Sequence, residues 1–197
     1  MVFAARLSAL LLCAAGAAAL GQSTPASPQK EDYVFPDGKQ QFRNFLYYTF
    51  GPPDLISTAV GAGIDQGKPA PPEWDSGAKG YAERYGWRFS MNLTTKTTEY
   101  TLGALIHQDV AYRRCDCSGL LPRTGHAFVS VLTARTQSGR VVFSAPALVA
   151  PYAGSFTAVN AFYPSRYEPA DAFRTGSMSF VFKAAGNLIG EFIAPRR

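Results

Sequence analysis

"AKGYAERYGWRFSMNLTTKTTEYTLGALIHQD", Ala78 to Asp109, is the stretch on which the fold turns, because two periodicities compete inside it. Ala78, Tyr81, Tyr85, Phe89, Leu93, Tyr100 and Ala104 recur at threes and fours with one lapse at Thr97, which describes an apolar stripe along a helix. Trp87, Phe89, Met91 and Leu93 alternate with Arg88, Ser90, Asn92 and Thr94, which is the period of a strand. The run "NLTTKTTEYT" pulls the same way, since β-branched threonines lose rotamer freedom in a helix. The neighbouring segments have to break the tie.

Upstream, "PPDLISTAVGAGIDQG" (52 to 67) opens with two prolines, carries Asp54 in its first turn and sets Leu55, Ala59 or Val60, Gly63 and Ile64 on one side, the signature of a helix. Near the C-terminus, Phe173, Phe180, Ala184, Leu188 and Phe192 form one stripe that Phe182, Ile189 and Ile193 widen. Lys183, Asn187 and Glu191 make a separate polar ridge at fours, and only a helix sorts residues in that way. In "SAPALVAPYAGSFTAVNAFYP", Ala150, Gly154 and Ala158 put a small residue at every fourth position, which lets two helix backbones approach closely. Pro151 would kink that helix or set its start. Val141 to Ser165 holds no charge, but its internal prolines, Asn160 and many small residues favour a buried or membrane-surface helix over a bilayer span. Between the helices, "TARTQSGRVVFS" has a turn at Gln137 to Arg140 and predicts a short β-hairpin near 133–144.

The rival architecture is a small outer-membrane β-barrel. It would repeat alternating segments of about ten residues throughout, and the chain does not sustain them. The expectation is therefore an all-α chain: a single compact domain of about five helices packed through small-residue ridges.

The chain begins "MVFAARLSALLLCAAGAAALGQS", with one cation at Arg6, an apolar run from Leu7 to Ala19, and then small residues. Residues 1–21 read as a secretory signal peptide cut before Gln22. A lipoprotein reading through Cys13 fails because Leu12 is large, so Cys13 leaves with the leader. Residues 22–38, "QSTPASPQKEDYVFPDG", are polar and proline-rich and predict a disordered tether, leaving 39–197 as the helical domain. "QGKPAPPEWDSG" (66 to 77) is a second proline-rich break, read as the joint between two helices. Without Arg6 the mature chain keeps eighteen basic residues against fourteen acidic ones. That mild, spread excess suits anionic head groups and is too diffuse for nucleic acid. Export places Cys115 and Cys117 in an oxidising space, where the pair is a disulfide candidate.

"HQDVAYRRCDCSG" (107 to 119) gathers the reactive side chains. His107, Asp109, Cys115, Cys117 and His126 offer nitrogens, sulfurs and an oxygen to a metal, but the cysteines are too close together for a zinc knuckle and no second pair exists. A thiol-redox role lacks the C-x-x-C unit, and no G-x-S-x-G elbow supports hydrolysis. The favoured reading is a polar connector at a helix end, in which His107, Gln108, Asp109, Tyr112, Arg113 and Arg114 fix geometry. The two arginines would lie near the C-terminal dipole of the helix that begins at Gly77. No cofactor and no catalytic residue is expected.

In their order, "YAERYG" (81 to 86), "HQDVAYRR" (107 to 114), "RTQSGR" (135 to 140), "AVNAFYP" (158 to 164) and "GNLIGEF" (186 to 192) resemble a family of uncharacterised, exported, glycine- and alanine-rich bacterial envelope proteins. The resemblance covers most of residues 77–193 and implies a mostly helical fold; no activity is established for that family. The chain departs from the pattern at "CDC", where such proteins carry glycine and serine, so the thiols are not implied as a shared chemistry.

The functional expectation is a non-enzymatic, envelope-associated helical protein of the periplasm or outer membrane that meets a membrane surface or another envelope protein. Tyr47, Tyr48, Phe50, Trp74, Tyr81, Tyr85 and Trp87 would supply amphipathic contacts. A homo-oligomer joined through small-residue helix faces is a further expectation. The alternative function is a periplasmic thiol-redox or metal-binding protein centred on Cys115 and Cys117.

Overall fold

In the computed structural model, residues 33–68 and 71–193 are described. The leader and residues 22–32 of the tether lie outside them. A compact unit begins at Tyr33. Its element order is α1 (Gly38–Phe50), α2 (Pro52–Gly67), α3 (Ala78–Leu105), β1 (Gln108–Asp109), α4 (Leu120–Val129), β2 (Thr133–Thr136), β3 (Val141–Phe143), α5 (Ala145–Phe162) and α6 (Pro169–Phe192). The described residues are thus mostly helical, and the barrel alternative fails for them.

The contested stretch is one helix of 28 residues, and the threonine run lies within it. Tertiary contacts override its poor intrinsic propensity. α3 packs against α5, α2 and α1, and its most extensive partner is α5. The small-residue ridge explains that pairing. Ala150, Gly154 and Ala158 are all buried, and a Cβ placed on Gly154 would stand 2.5 Å from the Met91 carbonyl oxygen and collide with the Thr95 side chain. Gly176 of α6 repeats the device against α5, where a Cβ would lie 2.6 Å from the Tyr152 ring and 2.8 Å from Ser155 Oγ.

Local signals start the helices, and for α2 the sequence places them. The Asp37 carboxylate accepts from the Gln40 N–H at 2.7 Å at the start of α1, and Pro52 and Pro53 open α2. Ser144 caps α5 by accepting from the Ala147 N–H at 3.2 Å. Pro151 therefore lies inside α5 and does not begin it. A Glu168–Asp171 capping box starts α6. The hairpin forms with Thr133 opposite Phe143 and Arg135 opposite Val141. β1 widens it to a three-stranded antiparallel sheet in the order β1-β2-β3, with Asp109 opposite Arg135.

The orientation of the helices departs most from expectation. On α6 the buried positions are Ala172, Gly176, Ala184, Asn187 and Glu191, so the polar ridge faces inward. Phe173, Val181, Phe182, Ile189 and Ile193 are 55–74% exposed. α2 behaves alike, with Thr58 and Ala62 buried and Ile56, Val60 and Ile64 exposed. The inward ridge of α6 is held by partners from other elements. Lys183 Nζ donates to Glu99 Oε1 at 2.5 Å across α3 and α6, and Asn187 Nδ2 donates to the Ala127 carbonyl at 2.9 Å. Among the described residues the buried set holds no leucine, isoleucine, methionine or phenylalanine; apart from Trp87, Val131 and Val159, its apolar side chains are alanines and prolines.

Two further differences are local. Tyr33, assigned to the tether, packs onto the connector: its hydroxyl donates to Asp109 Oδ2 at 2.9 Å, a specific bond that composition does not register. Of the seven aromatics assigned to interface contacts, Tyr47, Tyr48, Phe50 and Tyr81 are exposed, whereas Trp87 is buried and Trp74 and Tyr85 are half-buried. Trp87 and Trp74 meet Tyr163 edge-on at 5.3 and 5.4 Å.

Candidate functional site

The connector after α3 touches the end of that helix only at its start, where a Cβ on Gly103 would stand 3.0 Å from the Gln108 carbonyl oxygen and 3.4 Å from Val110 Cγ1. Ile106 caps α3, His107 takes a left-handed φ of 54° with its side chain exposed, and the chain enters β1. Gln108 Nε2 donates to the Phe143 carbonyl at 3.4 Å. Asp109 is buried and accepts from the Ala111 N–H at 3.1 Å, from Arg113 Nη2 at 3.0 Å and from Tyr33. Burial first, and then the adjacent Asp109 carboxylate, push the Tyr33 hydroxyl well above the ordinary phenol range.

The second half of the connector converges on the end of α6. Glu191 is fully buried. Its carboxylate accepts from the Tyr112 hydroxyl at 2.6 Å, from Arg123 Nε at 2.9 Å and from the Cys115 N–H at 3.0 Å. Arg114 and Arg123 both donate through Nη2 to the Glu191 carbonyl, so they complement the C-terminal dipole of α6. The arginine expected at the end of α3 therefore serves a helix distant in sequence, because the chain turns away at His107 before Arg114 is reached. Arg123 also lies over the Phe192 ring, with Cζ 4.5 Å from its centroid.

These contacts decide the chemistry. Burial alone would raise the Glu191 carboxyl, but the bonds from Tyr112, Arg123 and Cys115 outweigh it and hold the group down at about 2. The Tyr112 hydroxyl, desolvated and bonded to that anion, is raised above the ordinary phenol range. A carboxylate held ionised beside a phenol held protonated makes a hydrogen-bonded hub that ties the connector to the end of α6. His126 stands beside the hub with its ring 5.8 Å from that of Tyr112. Desolvation lowers its pKa, and Ser130 Oγ is 3.5 Å from Nε2.

Cys115 and Cys117 are joined by a disulfide, with Cα atoms 5.1 Å apart, in the loop whose N–H holds Glu191. The five metal-ligand candidates do not converge. Among the described residues, no three His, Cys, Asp or Glu side chains could hold a metal ion.

Sequence reasoning missed three of the residues that organise the interior. Glu191 and Lys183 stand in the sequence only as members of a polar ridge, with no role in the interior assigned to them. Arg84 is fully buried with no carboxylate partner among the described residues and donates to Gln66 Oε1 at 2.8 Å and to the carbonyls of Pro71, Trp74 and Asp75. It thereby fixes the proline-rich break onto α3. The available signal was the ridge itself, because polar residues at fours on an otherwise apolar helix fit an inward polar face as well as an outward one. Comparison of the chain with protein-family models, curated proteins and solved structures finds no match to any of them.

Proposed function

We propose that this chain is a non-enzymatic, envelope-associated helical protein whose outer apolar faces sit in lipid. The observation that carries this reading is the reversed polarity of its helices: alanine, glycine and hydrogen-bonded polar groups inside, large apolar side chains outside. Water favours the opposite arrangement, since burying one valine, leucine, isoleucine or phenylalanine contributes about 1.5–3 kcal/mol. In hydrocarbon that driving force vanishes, small residues pack helices together, and ionisable groups turn inward and pair. Exposed large apolar side chains occur on every helix, from Phe42 on α1 to Ile193 after α6, and on β3. A single protein partner would cover one patch, whereas lipid meets many faces at once. No helix among the described residues is long and apolar enough to cross a membrane, so the reading is immersion of outer faces at the membrane surface. The leader-like N-terminus supports an envelope location.

The direct test is vesicle flotation of the mature chain. The chain should rise with the vesicles. A chain that stays in the lower fraction as a folded monomer would overturn the proposal.

A further inference from the structure

Residues 107–140 carry five arginines against Asp109 and Asp116, whereas the other described residues hold ten basic and ten acidic side chains. The whole positive surplus of the described residues therefore lies in the segment that forms the connector, α4 and the first half of the hairpin. Arg114 and Arg123 are engaged with the end of α6. Arg113 and Arg135 stand beside a single buried carboxylate, Asp109, and Arg140 lies at the hairpin turn.

The sheet arranges these cations beside apolar groups. Asp109, Arg135 and Val141 are consecutive cross-strand partners, and Thr133 faces Phe143 in the next row but one. Directly opposed residues point to the same side of a sheet, and so do residues two apart in a strand, so Arg135, Val141 and Phe143 share one face. Val141 and Phe143 are 58% and 59% exposed there, while Ala134 on the other face is buried. Tyr33 braces the cations: Arg113 Cζ lies 4.9 Å and Arg135 Cζ 5.3 Å from its ring centroid. Arg140 is exposed at the hairpin turn. Arginine forks beside exposed valine and phenylalanine match the boundary of an anionic leaflet, with phosphates in one layer and acyl chains directly below.

Resting on the lipid reading above, we infer that the β2–β3 hairpin is the head-group contact of the protein and selects anionic phospholipids through Arg135 on its face and Arg140 at its exposed turn. Each arginine near such a surface tightens binding about five-fold. The experiment compares flotation of the mature chain with phosphatidylcholine vesicles and with vesicles that also contain phosphatidylglycerol, at low and high salt. Binding should be tighter to the anionic vesicles and should lose that advantage at high salt. R135Q/R140Q should lose about 25-fold on anionic vesicles and nothing on phosphatidylcholine. R140Q alone, at an exposed turn, should lose about five-fold with an unchanged circular dichroism spectrum. Equal binding of wild type to the two vesicle types, or equal binding of wild type and R140Q to the anionic ones, would overturn the head-group assignment and leave the lipid reading standing. Binding to neither would overturn both.

Discussion

Glu191 shows how one residue can hold a loop, a helix end and a second helix together. Its oxygens take bonds from Tyr112 and Cys115 of the connector and from Arg123 of α4. Replacing the carboxylate removes the countercharge of a half-buried arginine, and breaking a buried pair from one side costs about 3–5 kcal/mol. Glu191→Gln keeps the shape and one acceptor, so urea unfolding should show a loss at the lower end of that range. An unchanged unfolding midpoint would mean that the hub is ornamental. The same group predicts an acid limb. Its carboxyl is depressed from 4.5 to about 2, so its contribution is complete above pH 4.5 and is lost as the pH falls toward 2. Between those values the stability of Glu191→Gln should fall less steeply than that of the wild type, as measured by urea midpoints across that window.

At the scale of elements, the close crossing of α3 and α5 depends on a missing side chain. Gly154→Ala would press a methyl group against the Met91 carbonyl and Thr95, both on α3, so the two helices must separate. Overpacking of this kind costs about 1–3 kcal/mol. Gly186 of α6 has nothing within 4 Å of its Cβ position, and there alanine should be neutral or stabilise by up to about 1 kcal/mol through helix propensity. Thermal unfolding of the two variants should thus move in opposite directions; equal shifts would show that the glycine effect is one of propensity and not of packing. Much of this level was legible in the sequence. The four-residue spacing of Ala150, Gly154 and Ala158, the prolines opening α2 and the turn at Gln137 to Arg140 each act within a few residues, and a pattern records them. What was not legible was which side of each helix faces the core. Periodicity reports that Lys183, Asn187 and Glu191 lie on a common side, but the partners that let that side be buried, Glu99, the Ala127 carbonyl and Arg123, come from other elements. The connector failed for the same reason. The carboxylate that organises Tyr112 and Cys115 lies 76 or more residues away.

For the molecule as a whole, the reversed polarity creates a problem in water that some association must relieve. Apolar side chains as large as Phe182 and Ile189 are 60% and 56% exposed on one long helix, and similar groups stand on its neighbours. In detergent-free buffer these faces have only each other to meet, so the mature chain should form concentration-dependent oligomers. Micelles supply the hydrocarbon that the proposed lipid site provides, and sedimentation velocity should then report a monomer. Phe182→Gln with Ile189→Gln separates surface from fold, because both positions point outward and their substitution leaves the inward ridge of Lys183, Asn187 and Glu191 untouched. This variant should keep its helical circular dichroism, shift toward monomer in plain buffer and float less well with vesicles. A variant that unfolds would show that these faces are buried within the fold after all, and one that keeps full vesicle binding would show that α6 is not among the faces that meet lipid.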